Sequence, residues 1–299
     1  MKMRPPLVLA FSDEEAIAAS LSLAVSADFG KIALHRFPDG ESLVRIDADP
    51  AERDIIVVCS LVRPDETILP LLFAADAARE LGGKRVLLVA PYLSYMRQDK
   101  RFHPGEAITS RTFARLLSAH FDGVVTVDPH LHRYKSLSDI YRVPTQVVHA
   151  APALAAWIKQ NIENALVVGP DSESEQWVSE VAAGAGTPFV VLQKTRHGDR
   201  EVDIDIPDFQ QWVGRNPVIV DDIVSSARTM IAVCKALRQQ GLAAPTCVAV
   251  HALFAEDAYD RLIAAGTRQV ISCNTVKHPS NQISLVEPLA KDILLLLQK

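Results

Sequence analysis

The stretch Asn216-Pro-Val-Ile-Val-Asp-Asp-Ile-Val-Ser-Ser-Ala-Arg-Thr229 decides the fold class of this chain. Its apolar run ends in two adjacent carboxylates, Asp221 and Asp222, and a loop rich in hydroxyl groups follows. The pattern from Thr229 to Gln240 is helical, and the next apolar run is Cys247–His251. A strand, a loop, a helix and a second strand in this order indicate one unit of an α/β protein.

Apolar runs and helical patterns alternate along nearly the whole chain. Several runs are continuous Val, Ile and Leu, which is typical of strands buried on both faces of a parallel sheet. Helical patterns lie between them, for example Thr67–Leu81 and Thr109–Ala119. The predicted strands are Leu7–Ala10, Ile55–Cys59, Val86–Ala90, Val124–Val127, Ala165–Val168, Phe189–Leu192, Val218–Val220, Cys247–His251 and Gln269–Ser272.

One strand–loop–helix–strand unit occurs twice in the sequence. Residues 54–90 form the first copy, and residues 216–251 form a second copy of similar length. The second copy carries the Asp-Asp pair after its first strand, where the first copy carries Cys59-Ser60. We therefore predict two related domains, residues 1–146 and residues 147–299, of which the second carries a specialised loop.

Composition excludes several classes of function. Of the 299 residues, 48% are hydrophobic and 22% are charged, so a sizeable core can form. The net charge of −5, without a basic block, disfavours nucleic-acid binding. The four cysteines lack metal-ligand spacing, the N-terminus lacks a signal-peptide pattern, and the apolar run Ile293–Leu297 is too short to span a bilayer. We predict a cytoplasmic protein that binds neither nucleic acid nor membrane.

The Asp221-Asp222 pair and the loop after it suit a sugar phosphate. Carboxylates accept hydrogen bonds from sugar hydroxyls, while loop N–H groups and a helix N-terminus attract a phosphate. A surface turn with two solvated acids and a helix cap is the alternative for these residues alone. Neither G-x-x-x-x-G-K-[ST] nor G-x-G-x-x-G occurs in the sequence, so a P-loop kinase and a dinucleotide enzyme are poorly supported.

A basic segment follows the predicted strand Val86–Ala90 directly. Arg97, Gln98, Lys100 and Arg101 offer guanidinium groups, an ammonium group and an amide. Groups of these kinds bind the polyphosphate and the base of a nucleotide, and open α/β sheets bind ligands at the carboxyl ends of strands. The segment predicts a nucleotide site, with a solvated basic loop as the alternative.

Two further strand ends carry groups suited to phosphate chemistry. His130 and Asp171 each follow a predicted strand, and together they could hold a magnesium ion that bridges phosphates. A capped, hydrogen-bonded pair of His130 and His132 is the alternative. Lys194 and Arg196 follow the strand Phe189–Leu192, and mobile cations of this kind stabilise charge on a transferring phosphoryl group.

The ordered set of motifs resembles the ribose-phosphate diphosphokinase (phosphoribosyl pyrophosphate synthetase) family across essentially the whole chain. The Lys-Thr-Arg form of the cationic segment resembles the archaeal-type branch most. The six motifs are Phe37-Pro-Asp39-Gly-Glu41, Arg97-Gln98-Asp99, Val127-Asp-Pro-His130, Gly169-Pro-Asp171, Lys194-Thr-Arg196 and Val220-Asp221-Asp222.

The resemblance implies two tandem type I phosphoribosyltransferase-like domains, each with a mainly parallel sheet flanked by helices. It also implies transfer of the diphosphoryl group of ATP to the 1-hydroxyl of ribose 5-phosphate, which releases AMP. The chain would be a homo-oligomer with an ATP site at a subunit interface, and Mg²⁺ would be its cofactor.

The resemblance carries roles over to the matching residues. Lys194 and Arg196 would be catalytic, and His130 and Asp171 would bind the metal. ATP would be bound by Phe37, Asp39, Glu41, Arg97, Gln98, Asp99 and Arg101. Ribose 5-phosphate would be bound by Asp221, Asp222, Ser225, Ser226, Ala227, Arg228 and Thr229.

One departure from the family pattern bears on the substrate. The family loop usually contains Gly-Gly where this chain has Ala227-Arg228, and glycine allows positive φ and close approach of a phosphate. A regulatory paralogue without activity, and the same chemistry on a different pentose phosphate, are the alternative functions. A phosphoribosyltransferase that consumes the product is disfavoured, because such enzymes are typically single-domain.

Overall fold

The computed structural model describes residues 4–171, 174–197, 201–205 and 209–298. For residues 193–197 and 201–205 it describes the backbone only. The chain divides into two compact units. The first unit extends to Val148 and includes Thr275–Lys277 and the C-terminal segment from Leu285. The second unit comprises His149–Asn274 and His278–Ser284. This division differs from the predicted one, because two segments beyond residue 147 belong to the first unit.

The C-terminal helix, α8 (Val286–Leu297), accounts for most of that difference. Its apolar side chains Leu289, Ile293 and Leu296 are buried in the first unit. The guanidinium of Arg85 donates a hydrogen bond of 2.8 Å to the carbonyl of Leu297, which satisfies one acceptor at the helix end. Because this apolar face is buried in the first unit, the C-terminal helix belongs to that unit although it follows the second unit in the sequence.

The first unit is built on a seven-stranded sheet of order β3-β2-β1-β4-β5-β6-β7, in which only the β2–β3 pair is antiparallel. β1 and β4 are neighbours in the sheet, but the chain continues from β1 to β2 on one side and from β4 to β5 on the other. The position between β1 and β4 is therefore the topological switch point, where sheets of this kind bind ligands. The strands are β1 (Leu7–Ala10), β2 (Asp28–Arg36), β3 (Ser42–Ile46), β4 (Asp54–Val58), β5 (Arg85–Ala90), β6 (Gly123–Val127) and β7 (Thr145–Val148). The other helices are α1 (Glu15–Ala24), α2 (Pro64–Glu80) and α3 (Thr109–His120).

The second unit is built on a six-stranded parallel sheet of order β15-β14-β13-β12-β8-β9, with its switch point between β8 and β12. A separate antiparallel pair joins β10 and β11. The strands are β8 (Ala165–Gly169), β9 (Phe189–Val191), β10 (Gln193–His197), β11 (Glu201–Asp205), β12 (Asn216–Val224), β13 (Thr246–Ala252), β14 (Gln269–Cys273) and β15 (Asn281–Ile283). The helices are α4 (Ala151–Asn161), α5 (Glu175–Ala185), α6 (Arg228–Gln239) and α7 (Ala258–Ala264).

All nine predicted strands occur, and the α/β class is confirmed. The strands that the sequence analysis missed are β2, β3, β7, β10, β11 and β15. These lie at sheet edges or in the hairpins, where polar residues replace the continuous apolar runs of the buried strands. The four cysteines are buried and free, as expected of core residues. Within the described residues, no helix has the length and apolar character needed to cross a membrane.

Candidate functional site

The two carboxylates that the sequence predicted at a strand end lie within β12 instead. The strand continues past them, because Ile223 and Val224 still pair with His251 and Ala252 of β13. Asp221 Oδ1 accepts a hydrogen bond of 3.0 Å from the amide of Asp222. The predicted end of this strand at Val220 is therefore wrong by four residues. The two carboxylates lie on β12, one of the two strands at the switch point of the second sheet.

Three carboxyl groups, those of Asp221, Asp222 and Asp171, interact at this point of the second unit. Burial raises the pKa of Asp221 well above its ordinary value, and the neighbouring charges of Asp222 and Asp171 raise the pKa further. Asp171 follows β8 directly, and its Oδ1 accepts a hydrogen bond of 3.2 Å from the amide of Ser174. A cation or a set of hydroxyl donors would relieve the repulsion between these carboxylates. The arrangement is therefore suited to a ligand that supplies either.

The loop that follows β12 presents free amides. It comprises Ser225, Ser226 and Ala227, and α6 begins at Arg228. Among the described residues, the three loop amides donate to no acceptor. Ala227 has φ +56° and ψ +6°, the left-handed conformation that glycine adopts most readily. Free amides at the N-terminus of a twelve-residue helix form a suitable phosphate site.

In the first unit, the segment after β4 at the switch point of the sheet contacts other parts of the chain. The amide of Ser60 donates a hydrogen bond of 3.2 Å to Glu14 Oε1, and the Ser60 hydroxyl donates to the carbonyl of Thr275. Lys277 Nζ lies 3.9 Å from Asp13 Oδ1. Burial raises the pKa of Glu14 to about 7. This switch point is closed by Thr275–Lys277, whereas its counterpart on β12 carries the acidic pair.

The predicted ATP residues Phe37, Asp39 and Glu41 lie at the tip of the β2–β3 hairpin. The Phe37 amide donates to the Glu41 carbonyl at 2.8 Å, and the Glu41 amide donates to Asp39 Oδ1 at 3.1 Å. The Phe37 ring is 40% exposed and contacts His35 edge-on, with 4.7 Å between the ring centroids. The hairpin is therefore ordered by its own hydrogen bonds while its aromatic ring remains accessible.

Three other predicted ATP residues lie in the segment between β5 and α3. Arg97 is exposed, while Gln98 Nε2 donates to Glu106 Oε2 at 3.3 Å. Arg101 Nε donates a hydrogen bond of 2.9 Å to the Glu106 carbonyl. The carboxylate of Glu106 also accepts from the amides of Phe102 and His103, which lowers its pKa. Glu106 thus organises this segment, a role that the sequence analysis did not assign.

Asp99 differs from its predicted ATP neighbours because its carboxylate is buried. Its side chain is 1% exposed, and Oδ1 accepts a hydrogen bond of 2.7 Å from Arg133 Nη1. Asp99 Oδ2 has no hydrogen-bond partner among the described residues. This environment favours a structural role in which Asp99 links the segment after β5 to the segment after β6. No sequence signal pairs two residues so far apart.

The two predicted metal ligands lie in different units. His130 follows β6 in the first unit, and its ring stacks on His132 with 6.3 Å between centroids. Asp171 follows β8 in the second unit. Within the described part of the chain, no cluster of three or more His, Cys, Asp or Glu side chains forms a metal site. Their joint role in metal binding stays a prediction.

Lys194 and Arg196, the predicted catalytic cations, lie on β10. This strand pairs with β11 through Lys194↔Ile204 and Arg196↔Val202. Their side chains are outside the described atoms, as are residues 198–200 of the same segment. The structure therefore gives the backbone position of the two cations on a hairpin, and their role stays a prediction.

Comparisons with known proteins assign both parts of the chain. The family described as the N-terminal domain of ribose phosphate pyrophosphokinase matches residues 7–120, and the phosphoribosyl transferase domain family matches residues 137–288. The ribose-phosphate pyrophosphokinase of Methanopyrus kandleri is 35% identical over 292 residues, which cover 96% of this chain and 98% of that protein. That of Halobacterium salinarum is 31% identical, over 95% of this chain and 99% of its own.

A solved structure has the same fold. The crystal structure of phosphoribosylpyrophosphate synthetase from Mycobacterium smegmatis matches with a TM-score of 0.84 and 24% sequence identity. The match covers 98% of this chain and 99% of the other. At this identity the likeness concerns the fold, and it confirms the prediction of two phosphoribosyltransferase-like domains.

Proposed function

This chain belongs to the ribose-phosphate pyrophosphokinase family, and we propose that it transfers the diphosphoryl group of ATP to the 1-hydroxyl of ribose 5-phosphate. The hydroxyl oxygen attacks the β-phosphorus, and the bond from that phosphorus to the oxygen shared with the α-phosphate breaks. The products are phosphoribosyl pyrophosphate and AMP, and the hydroxyl proton is released. The chain is therefore a transferase of nucleotide biosynthesis.

The acidic pair on β12 and the loop after it carry the assignment of the sugar phosphate. We assign the ribose hydroxyls to Asp221 and Asp222, whose side chains interact with each other and whose oxygens can accept hydrogen bonds from hydroxyl groups. The 5-phosphate is assigned to the loop from Ser225 to Thr229, where three amides have no acceptor in the described part of the chain and where α6 begins. The single supporting observation is this juxtaposition of hydroxyl acceptors and phosphate donors on adjacent residues.

ATP is assigned to the hairpin and the basic segment of the first unit. Phe37 would stack on the base, and Asp39 and Glu41 would accept hydrogen bonds from it. Arg97, Gln98 and Arg101 would bind the nucleotide, with Asp99 ordering their segment through Arg133. The exposed ring of Phe37 supports a site that is completed by a second copy of the chain. A homo-oligomer of this kind in the cytoplasm remains our proposal.

Catalysis would rest on position and charge. Magnesium, held by His130 and Asp171, would neutralise part of the charge of the ATP phosphates. The acidic surroundings of Asp171 suit a hard divalent cation, because carboxylate oxygens are its preferred ligands. Lys194 and Arg196 would stabilise the charge that develops on the transferring group. No side chain is assigned as a general base, so orientation of the reactants would supply much of the rate.

The test is incubation of the full chain with ATP, Mg²⁺ and ribose 5-phosphate, with AMP followed by chromatography. We expect AMP in amounts equal to the phosphoribosyl pyrophosphate formed, and none above background without the sugar. Folded protein that forms no AMP would contradict the proposal and favour the regulatory alternative. Other pentose 5-phosphates are tested in parallel to identify the sugar. A higher kcat/KM with one of them than with ribose 5-phosphate would make that sugar the assigned substrate.

A further inference from the structure

We propose that Phe254 and Arg261 are positioning residues for the loop Ser225–Ala227 and that they set its affinity for the phosphate of the sugar. Neither residue belongs to a motif of the sequence analysis, and both lie between 27 and 36 residues beyond the loop. The inference rests on the proposed function of that loop. It concerns how a loop without glycine keeps a conformation suited to an anion.

The first observation is that the carbonyls of the loop are all occupied. The Val224 carbonyl accepts hydrogen bonds of 3.0 Å from the amides of Leu253 and Phe254. The Ser225 carbonyl accepts a bond of 3.0 Å from the Ala255 amide.

The remaining two carbonyls are occupied as well. The Ser226 carbonyl accepts a bond of 3.3 Å from Arg261 Nη2, and the Ala227 carbonyl accepts a bond of 2.9 Å from the Ile231 amide within α6. Four consecutive carbonyls thus accept hydrogen bonds, while the amides of Ser225, Ser226 and Ala227 have no acceptor among the residues that the structure describes. An anion is repelled by carbonyl oxygens and attracted by N–H groups, so this pattern favours phosphate.

The second observation is that the loop is strained where the family usually has glycine. Ala227 has φ +56°, which costs a residue with a Cβ about 1–2 kcal/mol relative to the right-handed region. A strained residue keeps such a conformation only when its surroundings hold it there. The segment Leu253–Arg261 supplies donors to the three carbonyls that precede Ala227, and it therefore provides that restraint.

The third observation is that the segment is itself anchored. The Phe254 ring contacts Tyr259 and His278, with centroid distances of 5.2 Å and 4.8 Å, and these two rings contact each other at 4.8 Å. Phe254 has φ +29°, which is rare for a bulky residue. Arg261 Nε lies 3.1 Å from Asp257 Oδ1, while Nη2 of the same guanidinium donates to the Ser226 carbonyl.

The test compares Arg261→Ala and Phe254→Ala with the wild type in steady-state assays of AMP formation. We expect KM for ribose 5-phosphate to rise about five- to tenfold in each variant, while KM for ATP and kcat change less than about twofold. The matched control is Arg268→Ala, which removes an exposed arginine before β14, at the opposite end of the strands. Arg261→Ala replaces an exposed side chain, so it remains informative if Phe254→Ala fails to fold.

A double variant that adds a glycine to the loop separates the positioning role from a general effect on stability. Ala227→Gly removes the strain, so in the Arg261→Ala background it should restore KM for ribose 5-phosphate to within about twofold of wild type. If the wild type is active and Arg261→Ala has the same KM for ribose 5-phosphate, this inference is overturned while the proposed function stands. Inactive wild type would instead overturn the proposed function. Equal losses for both substrates, or a loss in kcat alone, would also contradict a positioning role.

Discussion

Arg133 Nη1 lies 2.7 Å from Asp99 Oδ1 and neutralises a carboxylate whose side chain is 1% exposed. The contact joins the segment after β5, which carries the predicted ATP residues, to the segment after β6, which carries His130. The Arg133 side chain is 39% exposed and can be solvated by water, whereas the buried Asp99 carboxylate cannot. Loss of the ion pair would therefore destabilise Asp99 more than Arg133. The pair therefore links two of the proposed ligand-binding segments of the first unit.

Replacing Arg133 should affect both stability and ATP binding. Arg133→Ala leaves a buried carboxylate without its partner, and we expect the free energy of unfolding to fall by about 3 kcal/mol. KM for ATP should rise more than KM for ribose 5-phosphate, because the segment with Arg97 and Gln98 loses its anchor. Urea unfolding and steady-state kinetics measure the two effects. Adding Asp99→Asn should recover part of the stability; no recovery, or no loss with Arg133→Ala, contradicts the assigned role.

The half-buried carboxyl of Glu14 predicts a pH-dependent stability. Its pKa is raised by burial to about 7 in the folded state, from its ordinary value of 4.5. The folded chain therefore holds this proton more tightly, and the stabilisation present below pH 4.5 is lost as the pH rises to about 7. Glu14→Gln should be more stable than wild type at pH 8, by up to about 3 kcal/mol, and similar at acidic pH.

Urea unfolding at several pH values between 4.5 and 8 measures this difference. Glu80→Gln removes an exposed carboxylate at the end of α2 and serves as the control, for which we expect no such pH dependence. A Glu14→Gln variant that follows the wild type in parallel across the whole range would show that Glu14 does not titrate there.

The left-handed conformation of Ala227 predicts that glycine stabilises the loop. Ala227→Gly removes the steric cost of φ +56° but adds flexibility to the unfolded chain, so we expect a net gain of about 0.5–1 kcal/mol. Ala232→Gly, inside α6, should lower stability by about 1 kcal/mol. Chemical denaturation of both variants gives the comparison, and destabilisation by Ala227→Gly would show that the buried methyl group matters more than the strain.

The proposed role of Lys194 predicts a loss in turnover. Lys194→Ala should lower kcat at least about a hundredfold, because a positive charge at the transferring phosphoryl group stabilises the transition state. KM for ATP should change less than about threefold. Lys159→Ala, which removes an exposed lysine at the end of α4, is the control for general effects of charge. Wild-type turnover in Lys194→Ala would remove the residue from the mechanism.

The α/β fold was largely readable in the sequence. Strands such as β4 and β13 are largely apolar runs, because both faces of a parallel sheet are buried, and all nine runs predicted as strands are strands. The hairpin strand β2 and the edge strand β15 were missed, because many of their side chains are polar or exposed and do not form a continuous apolar run. The extension of β12 past Asp221 also required the structure, since it is seen in the pairing of Ile223 and Val224 with His251 and Ala252 of β13.

By itself the sequence determined the family, the repeated strand–loop–helix–strand unit and the position of Arg97, His130 and Asp171 after a strand. Those features depend on residues that are neighbours in the chain. Tertiary structure alone decided that Asp99 pairs with Arg133, that Thr275–Lys277 close the switch point of the first sheet, and that donors from the segment after β13 hold the loop at Ala227. Each of these contacts joins residues about 30 or more positions apart, and folding brings them together through packing that no local pattern encodes.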